Sequence, residues 1–81
     1  RSVEVYPNPL NSSNAQLKLS SWSLEMEGLQ YYLSDINGRL LESGELENAH
    51  IDLRSSGLQA GSYILHLKGE DYVRTYPLIL R

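Results

Sequence analysis

The sequence predicts an all-β protein, an antiparallel β-sandwich of immunoglobulin-like type with about seven short strands. Apolar and polar residues alternate with a period of two along nearly the whole chain, while the periodicity of a helix is almost absent. Turn residues interrupt this alternation at a spacing of roughly 8–12 residues. The chain has 81 residues, of which 41% are hydrophobic and 21% charged, as in ordinary globular proteins. We therefore expect residues 1–81 to form one small domain.

The first half of the chain predicts strands separated by polar loops. The first strand covers residues 3–6 and ends at Pro7-Asn8-Pro9, because proline lacks the N–H that a ladder needs. The second strand covers residues 15–19, whose odd-numbered members are all apolar. Residues 22–27 also alternate, and we expect either a short strand or an extended connection that folds over the core.

The middle of the chain predicts a hairpin and then a change of direction. A strand over residues 29–33 is followed by the turn Asp35-Ile36-Asn37-Gly38 and by a strand over 39–43. Asn-Gly favours a tight hairpin because both residues tolerate a positive φ. A second hairpin or a corner then brings Ile51 and Leu53 to the inside. Residues 55–61 predict a compact turn that contains a single 3₁₀ turn.

Two strands complete the predicted sandwich. Residues 63–68 place Tyr63, Leu65 and Leu67 on one face. The last strand, Val73 to Leu80, contains Pro77, which is confined to edge strands or bulges because it cannot donate to a neighbour. We therefore expect this strand to lie at a sheet edge with one free side.

The composition excludes several classes of function. The chain has no cysteine, so disulfides, thiolate nucleophiles and cysteine-ligated zinc are ruled out. Its net charge is -3 and its basic residues are scattered, which argues against a nucleic-acid partner. No segment approaches the roughly 20 apolar residues that span a bilayer. So small a core leaves little room for an enclosed active site, which argues against an enzyme.

Individual residues give little indication of a catalytic or metal-binding site. His50 and His66 fall on predicted solvent faces, and no third ligand is suggested near them, so we expect neither a metal nor a cofactor. Tyr6, Tyr32 and Tyr76 are predicted to project from the faces opposite the main apolar ones. These tyrosines either cover the outer faces of the sheets or form a binding patch.

Three short motifs occur in a fixed order along the chain. They are Val5-Tyr6-Pro7-Asn8-Pro9, Leu33-Ser34-Asp35-Ile36-Asn37-Gly38-Arg39-Leu40 and Leu58-Gln59-Ala60-Gly61-Ser62-Tyr63-Ile64-Leu65. Together they resemble the type A C-terminal sorting domain, the Por secretion tail family, of the type IX secretion system of Bacteroidota. The motif residues that the resemblance assigns to fold and recognition are Pro7, Asn8, Pro9, Asp35, Gly38, Arg39, Gly61 and Tyr63.

The resemblance implies that the domain is a sorting signal on an exported protein and has no catalytic activity itself. Residues 1–81 would be a C-terminal domain cut from a larger secreted protein. It would pass through the periplasm and be recognised by the outer-membrane type IX machinery, a barrel shuttle and a sortase. The sortase, a cysteine transpeptidase, would then cut upstream of the domain and leave the cargo at the cell surface or in the medium.

The end of the chain departs from the family, in which a Lys-Ile-Ile-Lys-like tail is usual. This chain ends in Tyr76-Pro77-Leu78-Ile79-Leu80-Arg81, which keeps an apolar run before a terminal base but places Pro77 inside the strand. A strand edge with unpaired backbone groups offers a docking site for a receptor strand or for a second copy of the chain, which predicts a homodimer as a further outcome. The candidate docking residues are Leu78, Ile79, Leu80 and Arg81.

An alternative from another functional class is a structural or adhesive β-sandwich module that stays on a surface enzyme. Such a module would contact glycans through tyrosines or Trp22. The fold alone does not separate the two functions, because sandwiches host many of them.

Overall fold

Seven strands make up the sandwich, in the computed structural model that describes residues 3–81. They are β1 (Val5–Tyr6), β2 (Gln16–Leu19), β3 (Gln30–Asp35), β4 (Leu40–Glu45), β5 (His50–Asp52), β6 (Gly61–Lys68) and β7 (Val73–Leu80). A three-stranded sheet has the order β1-β2-β5, a four-stranded sheet has the order β4-β3-β6-β7, and all neighbours are antiparallel. The predicted all-β, immunoglobulin-like sandwich is confirmed.

The chain changes sheet three times. β1 and β2, β3 and β4, and β6 and β7 are neighbours within a sheet, whereas the connections after β2, β4 and β5 cross between the sheets. The connection before β5 is therefore a corner and not a hairpin. These crossings place the inner faces of the two sheets against each other, as in other sandwiches.

The core lies between the two sheets and is built largely from leucine. Both sheets contribute side chains with no exposed surface, such as Leu17 from β2 and Leu65 from β6. The odd-numbered residues of segment 15–19 are all buried, as the alternation predicted. The fully buried large side chains are Leu10, Leu17, Leu33, Leu46, Ile51, Leu53, Leu65, Leu67, Leu78 and Leu80.

The β3–β4 turn uses glycine alone for its positive φ. Gly38 has a φ of 85°, and no non-glycine residue in the described chain has a positive φ, so the expected contribution of Asn37 was wrong. The Gly38 N–H donates to the carbonyl of Asp35 at 3.0 Å, and the Asp35 N–H donates to the carbonyl of Arg39 at 3.0 Å. The connection is thus a three-residue loop that ends in a left-handed glycine.

One other segment differs from its prediction and one agrees with it. The ambiguous segment 22–27 forms no strand, and its residues Leu24–Met26 make a 3₁₀ turn that buries Met26. Trp22 packs half-buried against the core beside it. The predicted compact turn before β6 is confirmed, with a 3₁₀ turn over Arg54–Ser56.

Tyr76 faces the core, so the expectation that it projects outward was wrong. It shares the inner face of β7 with Leu78 and Leu80, both of which are buried. Its hydroxyl donates to the carbonyl of Val3 at 2.7 Å. Burial, with a contribution from Tyr72, raises the pKa of Tyr76 to about 12. The prediction failed because it treated the aromatic ring as part of the polar face of the strand. Tyr6 and Tyr32 do lie on outer faces.

Candidate functional site

Residues from the second and third sequence motifs meet at one end of the sandwich. In the four-stranded sheet, Tyr63 pairs with Asp35 on one side and with Leu78 on the other. Gly61 pairs with Leu80 two register positions further along. The β3–β4 turn, the start of β6 and the end of β7 therefore lie together, and we call this region the motif end.

Asp35 organises the β3–β4 turn. Its Oδ1 accepts hydrogen bonds from the backbone N–H groups of Asn37 and Arg39, each at 2.9 Å. Its Oδ2 lies 3.3 Å from the Nε of Arg39. The carboxylate thus fixes the turn and contacts Arg39 at its Nε. The Arg39 side chain as a whole remains 77% exposed. Arg39 is therefore held by a fixed turn with most of its side chain in solvent.

The third motif shapes the loop next to this turn. Gly61 has a φ of 155°, a value that side chains rarely adopt, so glycine is favoured where the loop enters β6. Two residues later, the Tyr63 hydroxyl donates to the carbonyl of Gln59 at 2.6 Å and ties the loop to the strand. The motif glycine and tyrosine therefore fix one loop conformation.

An open cleft of about 320 Å³ separates the turn from this loop. It is lined by Asp35, Arg39, Leu41, Ser56, Gly57, Leu58, Gln59 and Tyr63. Residues of the second and third motifs thus share one surface depression, which the sequence alone did not predict.

Asn8, in the first motif, binds the last strand. Its Nδ2 donates to the carbonyl of Pro77 at 2.9 Å, and its Oδ1 accepts from the N–H of Ile79 at 3.1 Å. The side-chain amide therefore takes the place of a neighbouring strand residue. The peptide bonds before Pro7 and Pro9 are both cis.

The backbone after Asn8 continues this pairing to the last residue. Leu10 donates to the carbonyl of Ile79 at 2.7 Å and accepts from the N–H of Arg81 at 2.8 Å. Ser12 then donates to the carbonyl of Arg81 at 2.7 Å. We call this pairing of residues 8–12 with residues 77–81 the clasp. It also frames an open cleft of about 420 Å³ lined by Pro9, Leu10, Asn11 and Arg81.

The clasp corrects the prediction of an unpaired edge. β7 is an edge strand, as Pro77 indicated, and the Pro77 carbonyl faces away from β6 because it accepts from Asn8. The proline nitrogen faces the same way, so its missing N–H costs no ladder bond. However, the clasp occupies the free side from Pro77 to Arg81. The premise of unpaired backbone groups there was wrong.

The candidate docking residues divide into two pairs. Leu78 and Leu80 are buried in the core, so they reach a receptor only if β7 leaves the fold. Ile79 is 45% exposed and Arg81 is also exposed. Docking through Ile79 and Arg81 stays a prediction that the folded domain permits.

Sequence reasoning missed Leu10 and Ser12, the backbone partners in the clasp. No local signal marks them, because they pair with residues about seventy positions away and use only main-chain groups. Across residues 3–81, no group of three His, Cys, Asp or Glu side chains is placed to hold a metal ion. Within that range no helix is long and apolar enough to cross a membrane.

Comparison with known proteins gives one family and a structural relative. The family model for the secretion system C-terminal sorting domain matches residues 4–81. A search of curated proteins finds no significant match. The chain is similar in structure to part of PorZ, described as an essential bacterial surface component of the type-IX secretion system of Porphyromonas gingivalis. That match has a TM-score of 0.74 at 19% identity and covers 98% of this chain and 11% of PorZ, so it shows the fold.

Proposed function

The chain belongs to the family of secretion system C-terminal sorting domains, and from this membership we propose that the type IX machinery recognises its motif end. A domain of this family is the C-terminal sorting signal of type IX secretion. Cargo that carries it goes to the cell surface or the extracellular space.

The observation that carries the proposal is the arrangement of the motif residues around β7. Tyr63 lies beside the end of β7, Asp35 pairs with Tyr63 from the next strand, and Asn8 binds the outer edge of β7 directly. Most of these side chains hold turns and loops in place. Arg39 is the motif residue that the turn holds out to solvent. The motifs thus build a rigid end that presents a small set of exposed groups, which suits a signal that must be recognised on many cargoes.

The remaining steps of sorting belong to the same proposal. Residues 1–81 act as one sorting domain of a longer secreted protein, which crosses the periplasm before a barrel shuttle receives it. A sortase-like transpeptidase then breaks a peptide bond upstream of the domain. The enzyme's cysteine takes the cargo carbonyl as a thioester while the amine leaves, protonated, as the new amino terminus of the domain. Water or an acceptor amine then takes the acyl group and restores the thiol. The domain has no catalytic part in this step.

A fusion experiment tests the sorting function in this chain. Residues 1–81 are joined to the C-terminus of a fluorescent reporter with an export signal, in a bacterium with a working type IX system. The expected result is reporter at the surface or in the medium, shortened by about the 9.2 kDa of this domain. The reporter without the domain, and the fusion in a strain without type IX secretion, should both stay in the periplasm.

Full-length fusion held in the periplasm of the competent strain, with the domain folded, would overturn the sorting function for this chain. That result would favour the alternative of an adhesive module. An exported reporter that keeps its full mass would retain sorting and overturn cleavage by the sortase.

Recognition of the motif end is tested with Arg39→Ala in the same fusion. Because the Arg39 side chain is largely exposed, its removal should leave the fold intact and reduce export. Arg74→Ala, another exposed arginine on β7 away from the motif end, is the matched control. Equal export of both variants and the wild type would contradict a role for Arg39.

A further inference from the structure

The guanidinium of Arg39 has hydrogen-bond donors that the fold leaves unused. The Oδ2 of Asp35 approaches it at Nε, and the side chain is largely exposed. The two Nη groups of Arg39 donate no hydrogen bond to any of residues 3–81. A guanidinium binds a carboxylate best through two parallel N–H groups. The Nη edge of Arg39 is therefore available to a carboxylate of a partner.

Two exposed apolar side chains lie close to Arg39 in the chain. Ile36, in the loop, is 68% exposed, and Leu40, which follows Arg39 directly, is 54% exposed. They are two of the six large apolar side chains that are exposed in the described part of the chain. Exposed apolar area beside an arginine is typical of contact surfaces. The β3–β4 turn thus offers a base and two apolar side chains within five residues.

The charges around the motif end favour an acidic partner. Arg54 begins the 3₁₀ turn whose last residue lines the cleft next to Arg39. Arg81 follows β7 and is exposed, and no carboxylate side chain of residues 3–81 lies within 4 Å of its guanidinium. The acidic residues at this end, Asp35 and Asp52, each pair with a neighbouring arginine. Three arginines and two acids give the motif end a positive balance.

The opposite end of the four-stranded sheet has the reverse balance. There Gln30 pairs with Glu45 and Lys68, and the β6–β7 turn begins after Lys68. Acidic residues outnumber the bases Lys68 and Arg74 at this end, and they are Glu27, Glu45, Glu47, Glu70 and Asp71. An acidic partner is therefore attracted to the motif end and repelled by the other end, which orients it before contact.

We propose that the motif end docks on an acidic segment of a protein in the secretion machinery, in which apolar side chains flank an Asp or Glu carboxylate. This rests on the proposed function and names the chemistry of the partner. The carboxylate binds the Nη edge of Arg39, and its apolar neighbours cover Ile36 and Leu40. A basic partner would be repelled, and an uncharged apolar one would bury the guanidinium without a counter-charge.

Substitutions at position 39 test the sign of the partner's charge in the reporter fusion. Arg39→Gln should lower the rate of export about tenfold, as loss of an anchor does at other interfaces. Arg39→Glu should lower the rate about fivefold further, because a carboxylate repels an acidic partner. Arg39→Lys should lie between the wild type and Arg39→Gln, since lysine keeps the charge but not the paired N–H groups.

Lys18, an exposed residue of the three-stranded sheet, gives the matched control. Lys18→Gln and Lys18→Glu make the same two changes of charge away from the motif end, and both should stay within about twofold of the wild type. Wild-type export by Arg39→Gln, or export of Arg39→Glu at or above that of Arg39→Gln, would overturn the acidic partner and leave sorting itself intact. If the wild-type fusion is not exported, the proposed function fails instead.

A pair of variants at Ile36 separates the effect of charge from misfolding. Ile36→Lys and Ile36→Glu remove the same exposed apolar side chain, so both should keep the protease resistance of the wild-type fusion. Ile36→Lys should be exported about threefold faster than Ile36→Glu, because the added ammonium attracts an acidic partner and the added carboxylate repels it. Equal export of the two, or faster export of Ile36→Glu, would contradict an acidic partner.

A second copy of the chain is the other source of acidic side chains, through the end opposite the motif end. Such a head-to-tail contact does not close and would join cargo molecules into chains. We therefore expect the purified wild-type fusion to sediment as a monomer at micromolar concentration and low salt. Association that both added salt and Arg39→Glu abolish would overturn the proposed partner, because a second copy would then occupy the motif end.

Discussion

The two sheets share one core but differ in almost every other respect. The strands of the three-stranded sheet have two to four residues, whereas those of the four-stranded sheet have six to eight. Nevertheless Leu17 of the short sheet is as fully buried as Leu65 of the long one. Ladder hydrogen bonds are therefore concentrated in one sheet, while apolar burial is divided between both. The burial of apolar side chains therefore stabilises the short sheet more than its few ladder hydrogen bonds do.

The largest expected effect comes from removing a core leucine, and it tests this division directly. Leu65→Ala and Leu17→Ala should each reduce the free energy of unfolding by about 2–5 kcal/mol, because both leave a cavity at a fully buried site. A domain of this size has about 4–12 kcal/mol in total. Urea unfolding of the two variants measures the loss.

If both sheets contribute equally to the core, Leu17→Ala and Leu65→Ala should lower the free energy of unfolding by similar amounts. A loss below about 1 kcal/mol for Leu17→Ala alone would show that the short sheet relaxes around the cavity. The three-stranded sheet would then be a loosely attached cover, and its packing would not be equivalent to that of the long sheet.

The next effect concerns a place where the long sheet tolerates no side chain. A Cβ at Gly44 of β4 would lie 2.8 Å from the ring of Tyr31, which folds over the strand. Gly44→Ala should therefore lower the free energy of unfolding by about 1–3 kcal/mol, the usual cost of overpacking. Ser43→Ala, an exposed neighbour on the same strand, is the control and should be nearly neutral. A neutral Gly44→Ala would mean that the Tyr31 ring moves freely.

The local features of both sheets could be predicted from the sequence, and the long-range ones could not. Period-two alternation identified the inner faces of β2 and β6 because it depends only on neighbouring residues. Pro77 identified an edge for the same reason. The clasp joins Asn8 to Ile79, and no local pattern encodes that partner. The three motifs therefore indicated the family, and the fold was needed to show that most of their residues lie at one end.

The clasp gives a smaller effect that is confined to the edge of the long sheet. Asn8→Ala removes the hydrogen bonds to the Pro77 carbonyl and the Ile79 N–H, which together contribute about 1–2 kcal/mol. We expect faster hydrogen exchange at the N–H of Ile79, while exchange in β2 stays unchanged. Asn14→Ala, which loses only an exposed contact with Gln16, is the matched control. Equal protection of Ile79 in the wild type and in Asn8→Ala would show that the backbone bonds of Leu10 suffice.

The smallest effects appear at extremes of pH. A group in the long sheet should lose its contribution to stability at high pH, and a group in the short sheet should lose its contribution at low pH. In the long sheet, burial and a 3.0 Å hydrogen bond to Glu42 raise the pKa of Tyr31 to about 12. A raised pKa favours the neutral phenol in the folded state. The contribution of the Tyr31 phenol to the stability of the fold is therefore complete below pH 10 and is lost as the pH rises towards 12. Tyr31→Phe should flatten the alkaline decline in the midpoint of thermal unfolding.

In the short sheet, the two hydrogen bonds from the Arg54 side chain lower the pKa of Asp52 to about 2. A lowered pKa favours the Asp52 carboxylate in the folded state. The contribution of this carboxylate to the stability of the fold is therefore complete above pH 3.8 and is lost as the pH falls through about 2. Both side chains are solvent-exposed, and screening keeps the effect small. Asp52→Asn should lower the thermal midpoint slightly at pH 7 and match the wild type near pH 2. A larger change on the acid side than Tyr31→Phe gives on the alkaline side would reverse this order, because the exposed Asp52–Arg54 pair would then contribute more to stability than the Tyr31 phenol.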